Sequence, residues 1–130
     1  MNAARVRDGL QPVCGRCRAP LRTSSGVVEV ADTRFEEQVL SSPLPVLLDV
    51  WAPWCVPCRG MEPVIEDLAS TLAGRVRVAK LNIDRCPEAA ARLRIVGVPT
   101  LIVFRNGREV VRMIGERGKD DVMRALAGVA

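Results

Sequence analysis

The sequence contains no tyrosine and no histidine, and aromatic residues make up only 3% of its 130 positions. So few rings weaken the case for a platform on which nucleic-acid bases stack. Long hydrophobic runs are also missing. The longest, residues 44–54, is interrupted by Asp49, Pro45 and Pro53 and falls far short of the ~20 residues a membrane-spanning helix needs. At the N-terminus, Arg5, Arg7 and Asp8 occupy the place where an export signal requires an uninterrupted apolar stretch. A soluble, cytosolic protein is therefore expected, acting on neither nucleic acid nor membrane.

What excess of charge there is has one location. The net charge is +4, from 19 basic and 15 acidic residues. The first 25 residues carry Arg5, Arg7, Arg16, Arg18 and Arg22 against Asp8 alone, so residues 26–130 balance at fourteen of each sign. The basic pI near 9.1 describes an arm, not a basic domain surface. That arm, residues 1–25, shows neither helical nor strand periodicity and is punctuated by Gly9, Pro12, Gly15 and Pro20. Residues 26–130 are rich enough in apolar side chains to form one folded domain.

Along this domain, residues 27–30 suggest a short strand. Asp32 stands where a helix N-cap would, before Phe35, Val39 and Leu40 at helical spacing. Residues 46–51 are apolar but for Asp49, the pattern of a central strand covered on both faces. Met61, Val64, Ile65, Leu68 and Leu72 place a helix over residues 57–72, which Pro63 should kink. Residues 76–83 read as another buried strand, and Pro87 can open a short helix that ends before Gly97. Asn106-Gly107, both tolerant of positive φ, predicts a hairpin joining strands at 101–104 and 109–114. A last helix covers residues 119–126. Strand–helix–strand units give parallel pairing and the hairpin adds an antiparallel edge, which together make a mixed-sheet α/β fold.

Five cysteines in a reducing compartment point to redox chemistry or metal binding rather than structural disulfides. Trp54-Cys55-Val56-Pro57-Cys58 follows the central strand and opens the long helix. Cys55 would sit at the helix N-terminus, where unpaired amides and the macrodipole stabilise a thiolate, the attacking species. Cys58, one turn on, can resolve a mixed disulfide formed at Cys55. Pro57 suits the first turn and stiffens the loop. A structural thiol pair and half of a metal site are the alternatives, but a Cys-X-X-Cys in a strand–turn–helix setting favours redox chemistry.

Over residues 27–130 the sequence closely resembles the thioredoxin family. The resemblance is carried by the Asp-Val-Trp-Ala-Pro-Trp-Cys-Val-Pro-Cys stretch from Asp49, Met61 and Pro63, Ala79-Lys80-Leu81-Asn82-Ile83-Asp84, Gly97-Val98-Pro99-Thr100, Phe104-Arg105-Asn106-Gly107 and Gly115. It implies a thioredoxin fold with a mixed central sheet and helices on both faces, and with Pro99 as a cis-proline facing the two cysteines. It also implies reduction of disulfide-containing protein substrates, with electrons from an NADPH-dependent thioredoxin reductase and no cofactor or metal of the domain's own. Asp49 matches the family's buried acid beneath the second cysteine. Burial should raise its pKa and suit it as general base for Cys58, while a structural pairing with Lys80 is the alternative. Trp54, Val56, Pro57, Ile83, Gly97, Val98, Ile114 and Gly115 match the apolar rim on which partners dock. For Ile83 and Ile114, a place in the core is the competing assignment. Val98, next to a proline that lacks an N–H, has a backbone free to pair with an extended substrate. Val56 stands where the family motif has glycine, adding bulk and stiffness beside Cys55.

Two further cysteine features remain. Cys14-Gly15-Arg16-Cys17 in the arm resembles one of the two pairs in the zinc ribbon of a second class of bacterial thioredoxins. Structural zinc takes four ligands, and with no histidine and no second pair in the arm a vestigial or redox-active pair is expected, with a zinc shared between two chains as the alternative. A zinc-dependent interaction or chaperone module using the arm is the alternative function. Cys86, just before Pro87, is expected to be a small residue capping the short helix, with a modifiable thiol as the alternative.

Overall fold

The computed structural model describes residues 26–128. Its strands and α-helices follow in the order β1 (Val28–Glu29), β2 (Val46–Trp51), α1 (Val56–Gly60), α2 (Glu62–Thr71), β3 (Arg77–Asn82), α3 (Pro87–Arg92), β4 (Thr100–Arg105), β5 (Arg108–Ile114) and α4 (Lys119–Ala127). The five strands form one sheet in the order β1-β3-β2-β4-β5. β2 occupies its centre, parallel to β3 and antiparallel to β4. The antiparallel edge arises at the hairpin, where Asn106 (φ 55°) and Gly107 (φ 78°) take the paired positive dihedrals of a two-residue turn that matches strand twist.

Alternation along β2 divides the core into two layers. Leu47 packs with Val78, Leu101 and Val103 under Met61, Ile65 and Leu68 of the α1–α2 region and Val122 and Leu126 of α4. Val46, Leu48 and Val50 face the other way, against Phe35, Val39 and Ala89. Since both faces are covered, β2 can be apolar almost throughout, which is why its single acid stands out. On the first of these faces, the expected long helix is interrupted at Met61, and Pro63 sits in the opening turn of α2. Proline is tolerated there because the first amides of a helix have no intrahelical partner.

The segment after β1 departs from expectation. Instead of a regular helix capped by Asp32, it forms a turn of 3-10 helix (Asp32–Arg34) and a wide π-type turn (Glu36–Leu40), neither with a side-chain cap. The Asp32 carboxylate is engaged elsewhere, accepting from the backbone amides of Glu88 (3.1 Å) and Ala89 (2.9 Å) in the first turn of α3. Cys86 occupies the N-cap position of α3 but makes no side-chain cap there. Its Sγ donates to the Val30 carbonyl at 3.3 Å.

Candidate active site

β2 delivers the chain to a tight turn at the carboxyl end of the sheet, where Ala52 is buried and its carbonyl accepts from the Cys55 amide at 3.1 Å. Cys55 is in extended conformation as the N-cap of α1 (φ −94°, ψ 109°), and its Sγ accepts from the Cys58 backbone amide at 3.2 Å. That contact puts a hydrogen-bond donor and the positive end of the helix at the sulfur. A thiolate in the same position is stabilised by both. Cys55 and Cys58 are joined by a disulfide with their Cα atoms 5.3 Å apart, a separation in the usual range for such a bond. Around them pack Ala52, Trp51, Ile83 and Val98.

Asp49 lies two residues before the end of β2, 1% exposed, and neither carboxylate oxygen has a hydrogen-bond partner. Loss of hydration pushes its pKa from 3.8 up to about 7. Lys80 opposes this rise and Glu62 reinforces it. Asp49 and Lys80 are register neighbours on β2 and β3, yet Lys80 directs its ammonium to Glu62 Oε2 (3.2 Å) and over the Trp51 ring, 4.3 Å from the centroid. The structural pairing of Asp49 with Lys80 is thus not formed as a hydrogen bond. What remains is a buried carboxyl able to hold or release a proton near neutral pH, with the charges of Lys80 and Glu62 at its flank.

The other residues expected at a docking rim take different positions. The Val98-Pro99 peptide is cis; Pro99 is buried, while Gly97 and Val98 are half-buried. Gly115 donates its amide to the Pro99 carbonyl at 2.9 Å, and Thr100 Oγ1 donates to the Gly97 carbonyl at 2.7 Å. Trp54 (65%), Val56 (77%) and Ile114 (52%) are exposed apolar side chains, and Pro57 is exposed beside them. Ile114 is therefore a surface residue and not part of the core, whereas Ile83 is half-buried between the core and the cysteine pair. Gly115, with φ 100°, occupies a conformation that favours glycine.

Three participants escaped the sequence reading. Glu62 holds Lys80 beside Asp49. Its only signal was its place four residues after Cys58, in the helix expected over residues 57–72. Asp84 accepts from Trp54 Nε1 at 3.3 Å and so steadies the exposed indole. Val96, 82% exposed, adds an apolar side chain two residues before Val98, in a short loop in which no periodicity could announce its direction. Among the described residues there is no cluster of three or more metal-ligating side chains and no helix long and apolar enough to cross a membrane. The Cys14–Cys17 motif lies outside the described residues.

Comparison with known proteins agrees with this geometry. A family model described as Thioredoxin matches residues 26–128. The chain is 44% identical over 105 residues to a protein named Thioredoxin from Mycobacterium tuberculosis (strain ATCC 25618 / H37Rv), covering 81% of this chain and 90% of that one. Identity to the Thioredoxin of Synechocystis sp. (strain ATCC 27184 / PCC 6803 / Kazusa) is also 44%, over 102 residues, or 78% of this chain and 95% of the relative. A "Bifunctional thioredoxin reductase/thioredoxin" of Mycobacterium leprae (strain TN) is 44% identical over 102 residues that make up 22% of its length.

Proposed function

The chain belongs to the thioredoxin family, a protein-disulfide oxidoreductase built on the Cys55–Cys58 couple, and from that premise we propose the role of each residue and the source of the electrons. The Cys55 thiolate attacks one sulfur of a substrate disulfide, forming a mixed disulfide and releasing the other substrate sulfur as a thiolate. Cys58, losing its proton to Asp49, attacks Cys55 Sγ and expels the second substrate sulfur. Two electrons pass to the substrate, and the domain is left in the disulfide form seen in this structure.

The observation that carries this order of attack is the hydrogen bond from the Cys58 amide to Cys55 Sγ. It stabilises negative charge on Cys55, while Cys58, 1% exposed, is reached by a partner only with difficulty. Trp54, Val56, Pro57, Ile83, Gly97, Val98, Ile114 and Gly115 form the docking rim, and the Val98 backbone pairs with an extended stretch of the substrate. An NADPH-dependent thioredoxin reductase returns the electrons; a relative that joins both names in one chain supports this choice of partner. The setting is the cytoplasm, and residues 1–25 are an arm separate from the catalytic domain of residues 26–130.

The test is NADPH oxidation coupled to insulin reduction in the presence of a thioredoxin reductase, followed by trapping. We expect turnover by the wild-type protein. Cys58→Ser should hold partner proteins as mixed disulfides through Cys55, and Cys55→Ser should hold almost none. Equal trapping by both variants would refute the assigned order.

A further inference from the structure

The segment that leads into Pro99 leaves α3 at Leu93, and its first residue, Arg94, is left-handed (φ 57°). Five residues then separate Leu93 from Pro99, among them Val96, 82% exposed. Both ends of this segment are held by one strand. Downstream, the Gly115 amide at the end of β5 donates to the Pro99 carbonyl at 2.9 Å. Upstream, Arg112 Nη2 donates to the Leu93 carbonyl at 2.8 Å. Arg112 is itself fixed by Glu109, with Nε to Oε2 at 2.7 Å and Nη2 to Oε1 at 2.8 Å.

Two residues three apart, Arg112 through its side chain and Gly115 through its backbone, thus hold two carbonyls that are six residues apart along the bound segment. The guanidinium suits this task because its planar fork lets one group grip a carboxylate and a carbonyl at once. The acceptor is also apt: the last carbonyls of a helix have no intrahelical donor and carry its negative end. Arg112 is only 23% exposed as a side chain, and its bond to the Leu93 carbonyl is partly buried.

We propose that Arg112 is a positioning residue for protein substrates: by holding the Leu93 carbonyl it sets where Gly97 and Val98 present their backbone beside the dithiol. This rests on the docking role given to those two residues above. It distinguishes two kinds of substrate. A protein disulfide leans on the 97–98 backbone and feels a displacement of the segment, whereas a small aryl disulfide reaches Cys55 without it.

The test compares full-length wild type, Arg112→Met, Arg112→Lys and Glu109→Gln in the reduction of insulin and of the bis-nitrobenzoate aryl disulfide, with melting temperatures recorded alongside. For Arg112→Met the KM for insulin should rise about fivefold while kcat stays within about twofold. Its kcat/KM for the aryl disulfide should stay within about twofold. Arg112→Lys, which keeps the charge and one donor but not the fork, should recover part of the loss. Glu109→Gln should show a smaller rise in the insulin KM, since a neutral acceptor grips the guanidinium less firmly. An unchanged insulin KM in Arg112→Met, or equal losses on both substrates, would overturn the inference. If Arg112→Met does not fold, Arg112→Lys carries the same comparison, and its insulin KM must rise selectively. Failure of the wild type to reduce insulin would instead overturn the reductase reading on which the inference depends.

Discussion

Cys55 and Cys86 occupy the same local frame with opposite results. Each is the N-cap residue of a helix with a proline in its first turn, and each is buried, at 5% and 1% exposure. At Cys55 the sulfur itself receives a backbone amide, that of Cys58. At Cys86 the first amides of α3 go to the Asp32 carboxylate, and the thiol turns away to donate to the Val30 carbonyl. Burial, and then the negative charge of Asp32, push the Cys86 pKa up. A helix N-terminus therefore does not by itself activate a cysteine. What decides is which group accepts the free amides, and whether sulfur is left as acceptor or made donor.

The largest test of this contrast is removal of each sulfur. Cys55→Ser should lower insulin reduction at least about a thousandfold, as loss of a nucleophile does. Cys86→Ser should leave it within about twofold, since the thiol touches neither substrate nor dithiol. A comparable loss in Cys86→Ser would break the distinction.

Asp49→Asn sharpens the comparison from the side of the dithiol. In the folded protein this carboxyl is pushed up to about 7 by burial, whereas in the unfolded chain it ionises near 3.9. Below about pH 4 it is neutral in both states. Between that pH and about 7 the folded state retains a proton that the unfolded state has lost, so stability falls as pH rises, then levels off. At pH 8 the buried charge destabilises the fold by roughly 4 kcal/mol, and an unsatisfied asparagine amide returns about half of that. Urea denaturation should show Asp49→Asn more stable than wild type by roughly 2 kcal/mol at pH 8, with the decline between pH 4 and 7 gone. Resolution of the mixed disulfide near pH 7 should slow by roughly tenfold or more. A wild-type stability that stays flat from pH 4 to 8 would contradict the raised pKa. An unchanged resolution rate would leave Asp49 structural.

The smallest effect belongs to Asp32. Asp32→Ala removes two hydrogen bonds from the first turn of α3 and should lower stability by about 1 kcal/mol, the usual worth of a cap. It should also speed alkylation of Cys86 severalfold, because the freed amides and the lost negative charge both favour thiolate. Thiol labelling against time reads this directly. Labelling unchanged from wild type would mean that Asp32 does not silence Cys86.

Much of this architecture was legible from local rules. The apolar stretch around Asp49, the helical spacing with its proline at position 63 and the Asn106-Gly107 turn each state their conformation within a few residues, and the structure places a strand, a helix break at Met61 and a hairpin there. Asp32 shows where such rules end. An aspartate before a helical pattern is a good N-cap for that pattern, but the amides it serves belong to residues 56 and 57 positions away. Likewise Lys80 is next to Asp49 in the sheet, yet Glu62 and Trp51 compete for it from outside any local window.

The sequence by itself determined the strands, most of the helices, their order and the reactive pair, since periodicity, turn dihedrals and the spacing of Cys55 and Cys58 act over only a few residues. Only the tertiary structure decided the electrostatics: that Asp49 is left without a partner, that Cys86 is held as a thiol, and that Leu93 and Pro99 hang from one strand. Desolvation and the pairing of polar groups depend on which atoms crowd a site, and those atoms come from chain segments that meet only when the sheet and its two layers close.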